Sequence, residues 1–302
     1  MPRFSTTSWI APYLGIGLVW GCSFLFIKVS LGFLTPFGVA FLRAFFGAIT
    51  LVLLARGRRV RLPREAIVWR HLWVVAVLTN VMPGILFAVA ETRTTSIVAG
   101  IINALTPLTT LFFGTFVFRD ERVSRHRLVG LALGLTGVLV VLGIWRGLGT
   151  NPWWAVGALL LAVTCYGASF PYSRHHLSPR AIEPVALASA QLILATLTLT
   201  PTFVVDGLSA GSPSIRSVAA IVALGTFGSG FAFMWNFHVI ATAGSSIAST
   251  VTYLTPLVAV VVGVAFLHEP LTWYEPVGGV VVLVGAAIAQ GRLRLSRQTL
   301  RS

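Results

Sequence analysis

Residues 103–121 read NALTPLTTLFFGTFVFRDE, an apolar stretch with a proline near its start and charged residues at its end. A similar stretch, TYLTPLVAVVVGVAFLHE, occupies residues 252–269, and the LTPL motif of residues 105–108 returns there 149 positions later. Each stretch is long and apolar enough to cross a membrane as a helix. Because the motif, the hydrophobicity and the charged end return together, the two stretches indicate an internal duplication.

The correspondence extends to both sides of these stretches. Three glycines recur after 148 positions: Gly130, Gly137 and Gly143 match Gly278, Gly285 and Gly291. Four further residues recur after 146 positions: Gly21, Ser23, Phe24 and Lys28 match Gly167, Ser169, Phe170 and Arg174. Three blocks in the same order at nearly constant spacing predict two copies of one unit, with a few residues inserted in loops.

The composition indicates a membrane protein. The chain is 56% hydrophobic and 10% charged, with a mean hydropathy of +0.88, whereas about a quarter of the residues of a soluble domain are charged. Lipid must therefore cover most of its surface. The two cysteines, Cys22 and Cys165, lie in apolar runs. They form neither a disulfide framework nor a metal-binding pattern, so no metal and no cofactor are predicted.

Ten apolar runs of about 20 residues are each long enough to span a bilayer. The first run is not a cleavable signal peptide, because its repeat partner lies inside the chain. The ten predicted helices cover residues 10–31, 35–55, 72–90, 95–118, 127–144, 154–173, 182–203, 217–239, 245–267 and 272–290.

Arginine and lysine predict the orientation of these helices. The N-terminus, every second loop and the C-terminal tail together hold 17 Arg and Lys residues, and the other loops hold three. Cytoplasmic loops carry the excess of positive charge, so both termini are predicted to be cytoplasmic. The net charge of +14 is explained by this bias, with anionic lipid headgroups as its partner and no nucleic acid.

Each repeat contributes five helices, and an odd number makes the two halves enter the membrane in opposite directions. We therefore predict an all-α integral membrane protein of ten transmembrane helices in two inverted five-helix repeats. The first module covers 11–144, the second covers 154–290, and a basic cytoplasmic tail covers 291–302. In transporters with such repeats, the two halves move around a substrate site at the membrane midplane.

Paired prolines mark the candidate site. Pro107 and Pro256 lie near the middle of the fourth and ninth helices and leave the carbonyls of Asn103 and Thr252 without their helical donors. In lipid these carbonyls need a partner from protein, water or ligand. An alternative is that the prolines only kink the helices and the polar groups are satisfied locally. The candidate substrate-binding residues here are Asn103, Thr106, Pro107, Thr252, Tyr253, Thr255 and Pro256.

The first and sixth helices carry a second group of candidates. Trp20 and Ser23 share one helical face with Phe24, Ile27 and Lys28. The corresponding face of the sixth helix carries Tyr166 and Ser169. Such faces suit either the wall of a cavity for an amphipathic solute or an ordinary packing contact. Other polar residues at depth include Asn80, Trp235, Asn236 and His238, and of these Asn80 is a further substrate-binding candidate.

Three charged residues are candidates for a functional role. Lys28 and Arg43 are the cations inside predicted spans, where charges are costly. Lys28 lies near the outer end and can also extend its ammonium to the interface, while Arg43 lies deeper and can also serve a structural role. All eight acidic residues fall in loops or at helix ends, so we expect no strong coupling through a buried carboxylate. Coupling through Glu91, at the outer end of the third helix, stays open.

The motifs of several enzyme classes are absent from the sequence. It has no GxxxxGK[ST] phosphate-binding loop and no HExxH pair, so the chain is predicted not to be an enzyme. An intramembrane enzyme and a pore are the rival classes, and neither needs an inverted repeat with paired prolines. Saturation of transport at low turnover separates a carrier from a pore.

The repeats resemble a known transporter module. Residues 20–54, WGCSFLFIKVSLGFLTPFGVAFLRAFFGAITLVLL, are similar to the opening of an EamA-type module. The proline-then-glutamate helices resemble the same family through Pro107 with Glu121 and Pro256 with Glu269. The resemblance covers about 11–290 and implies a bacterial inner-membrane carrier of the drug/metabolite transporter superfamily. It also implies ten helices around a central cavity and, commonly, export of amino acids or other small metabolites.

The second module departs from this pattern at three positions. Tyr166 replaces the tryptophan, Arg174 replaces the lysine, and Gln191 lies near the position equivalent to Arg43. The two half-sites are therefore not expected to be equivalent. We predict a carrier that exports an amino-acid-like or amphipathic metabolite by alternating access. Uptake, or exchange of an anionic metabolite read by Arg43 and Lys28, is the alternative, and the carrier is a monomer or a homodimer.

Overall fold

The structure, a computed structural model, describes residues 9–118, 125–141, 143, 145, 152–209 and 211–289. Within those ranges the chain forms ten helices and no strands. All helices except α5 and α10 are at least 18 residues long and apolar enough to cross a membrane. The helices are α1 Ile10–Ser30, α2 Pro36–Gly57, α3 Ala66–Glu91, α4 Ser96–Phe116, α5 Arg125–Val141, α6 Trp153–His176, α7 Pro184–Asp206, α8 Ile215–Ala243, α9 Ser245–Leu267 and α10 Tyr274–Ala289.

Polar residues before the helices fix several of their starts. The Thr35 side chain accepts a hydrogen bond from the Gly38 amide at the start of α2, and Thr95 does the same for Val98 at the start of α4. Ser214 and Ser217 form a reciprocal capping box at the start of α8. These bonds satisfy amides that have no partner inside the helix, which matters most where little water is available.

The connections between helices lie on two faces of the bundle. One, the basic-loop face, carries the 58–65 and 177–183 loops, which are joined by an ion pair of 2.9 Å between Arg180 and Glu65. The other, the opposite face, carries the 31–35 and 207–209 loops, which meet through a bridge between Leu34 and Leu208.

Ring contacts assign further connections to these faces. The Phe118 ring lies 5.9 Å from His175, which puts the end of α4 at the basic-loop face. The Trp145 ring lies 5.9 Å from Trp273, at the opposite face. Successive helices therefore run antiparallel, as an inverted arrangement of two five-helix units requires.

The fifth helices of the two repeats, α5 and α10, pack closely against each other through glycines. A Cβ added at Gly137 would lie 2.6 Å from the Val282 nitrogen, and one added at Gly278 would lie 2.6 Å from the Val141 nitrogen. Small residues allow two helix backbones to approach in this way. Because corresponding helices of both repeats contact each other here, the pseudo-two-fold axis passes between them.

The predicted number and type of helices is confirmed, but some predicted limits are wrong. Helix α3 begins at Ala66 rather than at residue 72. Its first turns hold Arg70 and His71, which interrupt the apolar run, and Trp69, whose indole donates to the Pro63 carbonyl at 2.8 Å. Tryptophan is favoured at the membrane–water interface, so these first turns lie at the interface. A criterion that needs an uninterrupted apolar run therefore begins the helix too late. The basic tail, 291–302, lies outside the described residues.

Two irregular segments were not predicted from the sequence. Helix α3 contains a π-helical segment at Val77–Val81, and α8 contains one at Leu224–Phe231. These are the third helices of the two repeats, so the irregularity is itself repeated. π segments leave main-chain groups free for other partners and are frequent at functional sites.

The proline helices are interrupted rather than kinked. The α4 segments Ser96–Asn103 and Thr106–Phe116 are separated by a turn, and in α9 a 3-10 segment at Thr250–Tyr253 precedes Thr255–Leu267. Pro107 and Pro256 each lie in the first turn of the second segment. Proline is well accommodated there, because its missing N–H would have no helical partner in any case. Pro107 and Pro256 therefore mark breaks within α4 and α9, at corresponding positions of the two repeats.

Candidate functional site

A small cavity lies between the two repeats. Its volume is about 30 Å³, which is enough for a water molecule or two. Both repeats contribute to its wall, the first through α1–α4 and the second through α6 and α9. The lining residues are Trp20, Ser23, Phe24, Ile27, Arg43, Phe87, Asn103, Tyr166, Phe170 and Thr252.

Repeat-related residues face each other across this cavity. Trp20 and Tyr166 occupy corresponding positions in the two repeats, and their rings stack with centroids 6.4 Å apart and planes 18° apart. Phe24 and Phe170 form a second such pair in the wall. Corresponding residues of two repeats can meet only near the axis that relates them. The cavity therefore lies on the pseudo-two-fold axis.

The broken helices contribute a third related pair, Asn103 and Thr252. The Thr106 hydroxyl donates to the Asn103 carbonyl at 2.8 Å, and the Thr255 hydroxyl donates to the Thr252 carbonyl at 2.8 Å. The two carbonyls that proline frees thus find the same local partner in both repeats. This outcome is the alternative in which these polar groups are satisfied locally. The Asn103 amide also donates across the axis to the Thr255 hydroxyl at 3.4 Å.

Among the residues that line the cavity, Arg43 is the charged one, and it is only 4% exposed. It lies about two turns into α2, and its Nε donates to the Ser229 hydroxyl at 3.1 Å. Ser229 belongs to the π segment of α8. The guanidinium of this first-repeat residue therefore lines the cavity and is held in place by a hydrogen bond to the second repeat.

The corresponding contact exists in the other repeat. Gln191 of α7 donates through its amide to the Thr79 hydroxyl at 2.8 Å and also to Asn80. Thr79 and Asn80 belong to the π segment of α3. In both halves, therefore, the second helix of one repeat bonds the π segment of the other. The pair differs in charge, because Arg43 is cationic and Gln191 is neutral.

A further contact ties the cavity wall to a π segment. The Trp20 indole donates to the Gly228 carbonyl at 3.1 Å, and Gly228 lies in the π segment of α8. Main-chain carbonyls are available in such segments. The bond holds the ring that stacks on Tyr166, and it links the aromatic pair to the same segment that holds Arg43.

Lys28 lies next to the wall residue Ile27 but does not line the cavity. Its ammonium donates to the main-chain oxygens of Glu91 at 2.6 Å and Thr94 at 2.8 Å. These oxygens belong to the last residue of α3 and to the loop that follows it. A cation at a helix C-terminus satisfies free carbonyls and the helix dipole, so Lys28 joins α1 to the end of α3.

Glu91 corrects one expectation. It lies at the end of α3, as predicted, but its side chain is 0% exposed. A carboxylate therefore does lie inside the bundle, among the described residues. The final turn of α3 faces the neighbouring helices instead of the solvent, and the single sequence gives no periodic signal for that orientation.

Glu269 connects the two repeats at the opposite face. Its carboxylate accepts hydrogen bonds from the Ser96 amide at 2.9 Å, the Ser96 hydroxyl at 2.8 Å and the Ile97 amide at 3.2 Å. An acidic group is favoured at a helix N-terminus, so the end of α9 holds the start of α4. The corresponding residue of the first repeat, Glu121, lies outside the described residues.

The structure separates the predicted site residues into two groups. Those in the cavity wall are Trp20, Ser23, Arg43, Asn103, Tyr166 and Thr252. The others lie behind or beside it: Asn80 bonds Gln191, Ser169 donates to the Tyr166 carbonyl, and Lys28 and Glu91 lie at the end of α3. Five further candidates also do not line the cavity: Thr106, Pro107, Tyr253, Thr255 and Pro256. Their roles in substrate binding stay predictions.

Some residues of the site were not predicted. Phe87 lines the cavity, and Ser229 and Gly228 hold its wall. A signal for Ser229 exists in the Gly-rich run GTFGSGF of α8, which favours an irregular helix. Within the part of the chain that the structure describes, no group of three or more His, Cys, Asp or Glu could hold a metal ion.

Sequence comparison decides the family. The model of the EamA-like transporter family matches residues 7–143 and again 153–290. The chain belongs to the EamA-like transporter family. Since the two matches together cover most of the chain, the fold described above is that of a multi-pass membrane transporter.

Individual relatives agree with the family. A protein of Archaeoglobus fulgidus named "Uncharacterized transporter" is 26% identical over 277 residues, which cover 89% of this chain and 94% of that protein. "Uncharacterized inner membrane transporter YedA" of Escherichia coli K12 is 25% identical over 278 residues, 91% of this chain and 88% of that protein. These names point to transport rather than catalysis.

A solved structure has the same fold. It is 21% identical to this EamA-like transporter, with a TM-score of 0.66, and the match covers 97% of this chain and 100% of the solved one. At that level of identity the likeness concerns the fold alone.

Proposed function

We propose that this EamA-like transporter is a carrier that exports a small metabolite by alternating access around the axial cavity. The observation that carries the proposal is the meeting of repeat-related residues, Trp20 with Tyr166 and Asn103 with Thr252, in one cavity wall. A site on the axis between inverted repeats can open to either face when the repeats exchange conformations.

The size of the cavity supports a moving carrier rather than an open pore. A volume of about 30 Å³ is far below the several hundred Å³ typical of a site for a small organic ligand. Substrate can enter only if helices separate. The interruptions in α4 and α9 supply places where backbone geometry can change, because the regular helix is broken between the two segments.

The chemistry of the wall favours an amphipathic substrate. Aromatic rings dominate it, and Asn103, Thr252 and Ser23 add hydrogen-bonding groups. Arg43 offers a positive charge that matches a carboxylate, so an amino-acid-like compound fits. Exchange of a more strongly anionic metabolite is the second candidate, and the same Arg43 is the observation that favours it.

The orientation and assembly state belong to the same proposal. The charge bias of the loops favours a plasma-membrane protein with both termini in the cytoplasm. The cavity is formed within a single chain, so a monomer can carry out the proposed cycle. A homodimer would leave this cavity unchanged.

The proposal is tested by comparing metabolites inside and outside cells. Cells carry the wild type, a Trp20→Ala, Tyr166→Ala double variant, or a Trp73→Ala control whose ring lies 48% exposed on the outer side of α3. All three proteins are first quantified in the membrane. We expect one or more compounds to accumulate outside with the wild type and the control, and not with the double variant.

The other outcomes are equally informative. A compound that accumulates inside only with the wild type and control would replace export by uptake. Equal profiles for all three proteins would contradict the assignment of the cavity as the transport site. Flux that never saturates with substrate would contradict a carrier and favour a pore.

A further inference from the structure

Glu91 is a buried acid that the proposed transport site does not use. It is the last residue of α3, and its side chain is 0% exposed. Both of its carboxylate oxygens are buried without a hydrogen-bond partner among the described residues. An ionised carboxylate deprived of both water and donors is strongly unfavourable, whereas the neutral acid is tolerated.

Charged groups from three other parts of the chain interact electrostatically with Glu91. They are Lys28 on α1, Arg43 on α2 and Glu269 after α9. The hydrogen bonds found for the Lys28 ammonium go to the main-chain oxygens of Glu91 and Thr94, not to the carboxylate. The ammonium is therefore close to the acid but engaged elsewhere. Its charge opposes binding of a metal cation and of a proton alike, because like charges repel. The neutral acid is therefore favoured here by burial and by the lack of hydrogen-bond donors, not by the two cations.

Glu91 lies one helical turn beyond the cavity wall, towards the opposite face. Phe87, four residues earlier on α3, lines the cavity, and residues four apart share one helix face. The Phe87 ring lies 5.6 Å from that of Phe24, which lines the cavity from α1 four residues before Lys28. The two rings thus stand between the cavity and the pair formed by Glu91 and Lys28.

The acid also lies at the place where the two repeats close this face. Glu269, which interacts electrostatically with Glu91, holds the start of α4 through Ser96 and Ile97. Separation of α4 from the end of α9 would admit water at this level. Water would hydrate the Glu91 carboxylate and remove the reason for keeping it neutral.

We propose that Glu91 is a proton-binding site that couples transport to the proton gradient. In the closed arrangement seen here the side chain holds a proton as a carboxylic acid. When the opposite face opens, the acid exchanges this proton with water at that face. Arg43 links the two events, because its charge acts on Glu91 from the wall of the cavity that receives the substrate.

The proton-binding half of this proposal stands without the proposed function, and the coupling half rests on it. The two halves are tested by different measurements, so that one can fail without the other. Glu65→Gln is the matched control for both, since Glu65 is an exposed carboxylate, 65% accessible, paired with Arg180 on the basic-loop face.

Infrared spectroscopy of the purified full-length protein tests proton binding directly. A buried carboxylic acid gives a C=O stretching band that a carboxylate does not. At neutral pH we expect this band in the wild type and in Glu65→Gln, and not in Glu91→Gln. A wild type without any such band throughout the neutral range would overturn the proposal, whatever the variant does. A band of undiminished intensity in Glu91→Gln would also overturn it.

Transport measured at several external pH values tests coupling. The probe is the compound that the metabolite comparison finds outside wild-type cells. For Glu91→Gln we expect its outward accumulation to fall about tenfold and to lose its dependence on external pH, with Glu65→Gln matching the wild type. Unchanged pH dependence in Glu91→Gln would overturn the coupling. If no compound is transported by any variant, the proposed function fails while the infrared result still decides whether Glu91 binds a proton.

Discussion

Arg43 and Gln191 illustrate what single residues contribute to the cavity. Each extends from the second helix of its repeat to the π segment of the other repeat, Arg43 to Ser229 and Gln191 to Thr79 and Asn80. The contact is conserved in geometry between the halves while the charge is not. The cation consequently belongs to one half-site, and we infer that it orients the substrate.

A substitution at Arg43 separates charge from packing. Arg43→Met keeps an unbranched side chain but removes the charge and the bond to Ser229. We expect transport to fall about ten- to a hundredfold, since a hydrogen bond between the charged group and the substrate contributes about 1.5–3 kcal/mol. In the matched variant Ser229→Ala, which removes only the hydroxyl, we expect a loss of about fivefold. Initial transport rates at equal membrane levels measure both, and similar rates for Arg43→Met and wild type would refute the role.

Trp20→Phe tests the bond that holds the aromatic pair. The phenyl ring can still stack on Tyr166, but the donor to the Gly228 carbonyl is lost. We expect a loss of about 1 kcal/mol in the free energy of unfolding, the usual net value of one hydrogen bond. Trp153→Phe, at a ring that is 76% exposed, should change it by less than about 0.5 kcal/mol. Thermal unfolding in detergent compares the two, and equal effects would show that the Trp20 bond has no special weight.

The helices show which features of the fold follow from sequence alone. Apolar runs of sufficient length identify all ten helices, because lipid admits few alternatives to a helix for a spanning segment. The internal duplication also predicts which helix of one repeat corresponds to which helix of the other. The limits of α3 and the π segments do not follow, since they depend on interfacial residues such as Trp69 and on partners from the other repeat.

The candidate site can be predicted from the sequence only in part, because it too depends on contacts between the two repeats. Trp20 and Tyr166 were predicted from corresponding faces of the first and sixth helices, and the structure brings them together on the axis. Phe87 was not, because an additional phenylalanine in an apolar helix carries no distinctive signal. The burial of Glu91 was also not predicted. An acid at a helix end is expected to be solvent-exposed until the packing of α1, α2 and α6 against the end of α3 is known.

The contact of Glu269 with α4 makes a prediction about an element. Glu269→Gln removes the charge at the helix N-terminus and weakens its bonds to Ser96 and Ile97. We expect a loss of about 1 kcal/mol in stability, within the range of helix capping and dipole effects. Glu183→Gln is the control, because Glu183 precedes α7 but its side chain makes no capping bond.

Chemical unfolding in detergent measures this difference, and hydrogen exchange localises it. Faster exchange at the Ser96 and Ile97 amides is expected in Glu269→Gln alone. Equal stability and exchange in both variants would contradict the idea that Glu269 holds the two repeats together at this face.

The whole molecule consists of two five-helix units whose connections alternate between two faces. Their orientation in the membrane is predicted by the loop charges. In a variant lacking Cys22 and Cys165, a cysteine at Ser212 should react with a membrane-impermeant maleimide added to intact cells. A cysteine at Arg61 should react only after the cells are permeabilised. Both positions are exposed, so the reverse pattern would invert the predicted topology.

Alternating access requires that the opposite face open during each cycle, and a reversible cross-link there tests this requirement most directly. Cysteines replace Ser96 and Glu269, whose side chains meet at 2.8 Å, in the variant lacking Cys22 and Cys165, and a short cleavable thiol cross-linker joins them. Export of the compound found in the metabolite comparison is measured before cross-linking, after it, and after cleavage. We predict that export stops when the residues are joined and resumes when the link is cleaved, while treatment with the cross-linker does not change export by either single-cysteine variant. Undiminished export by fully cross-linked protein would contradict a carrier that opens between α4 and α9.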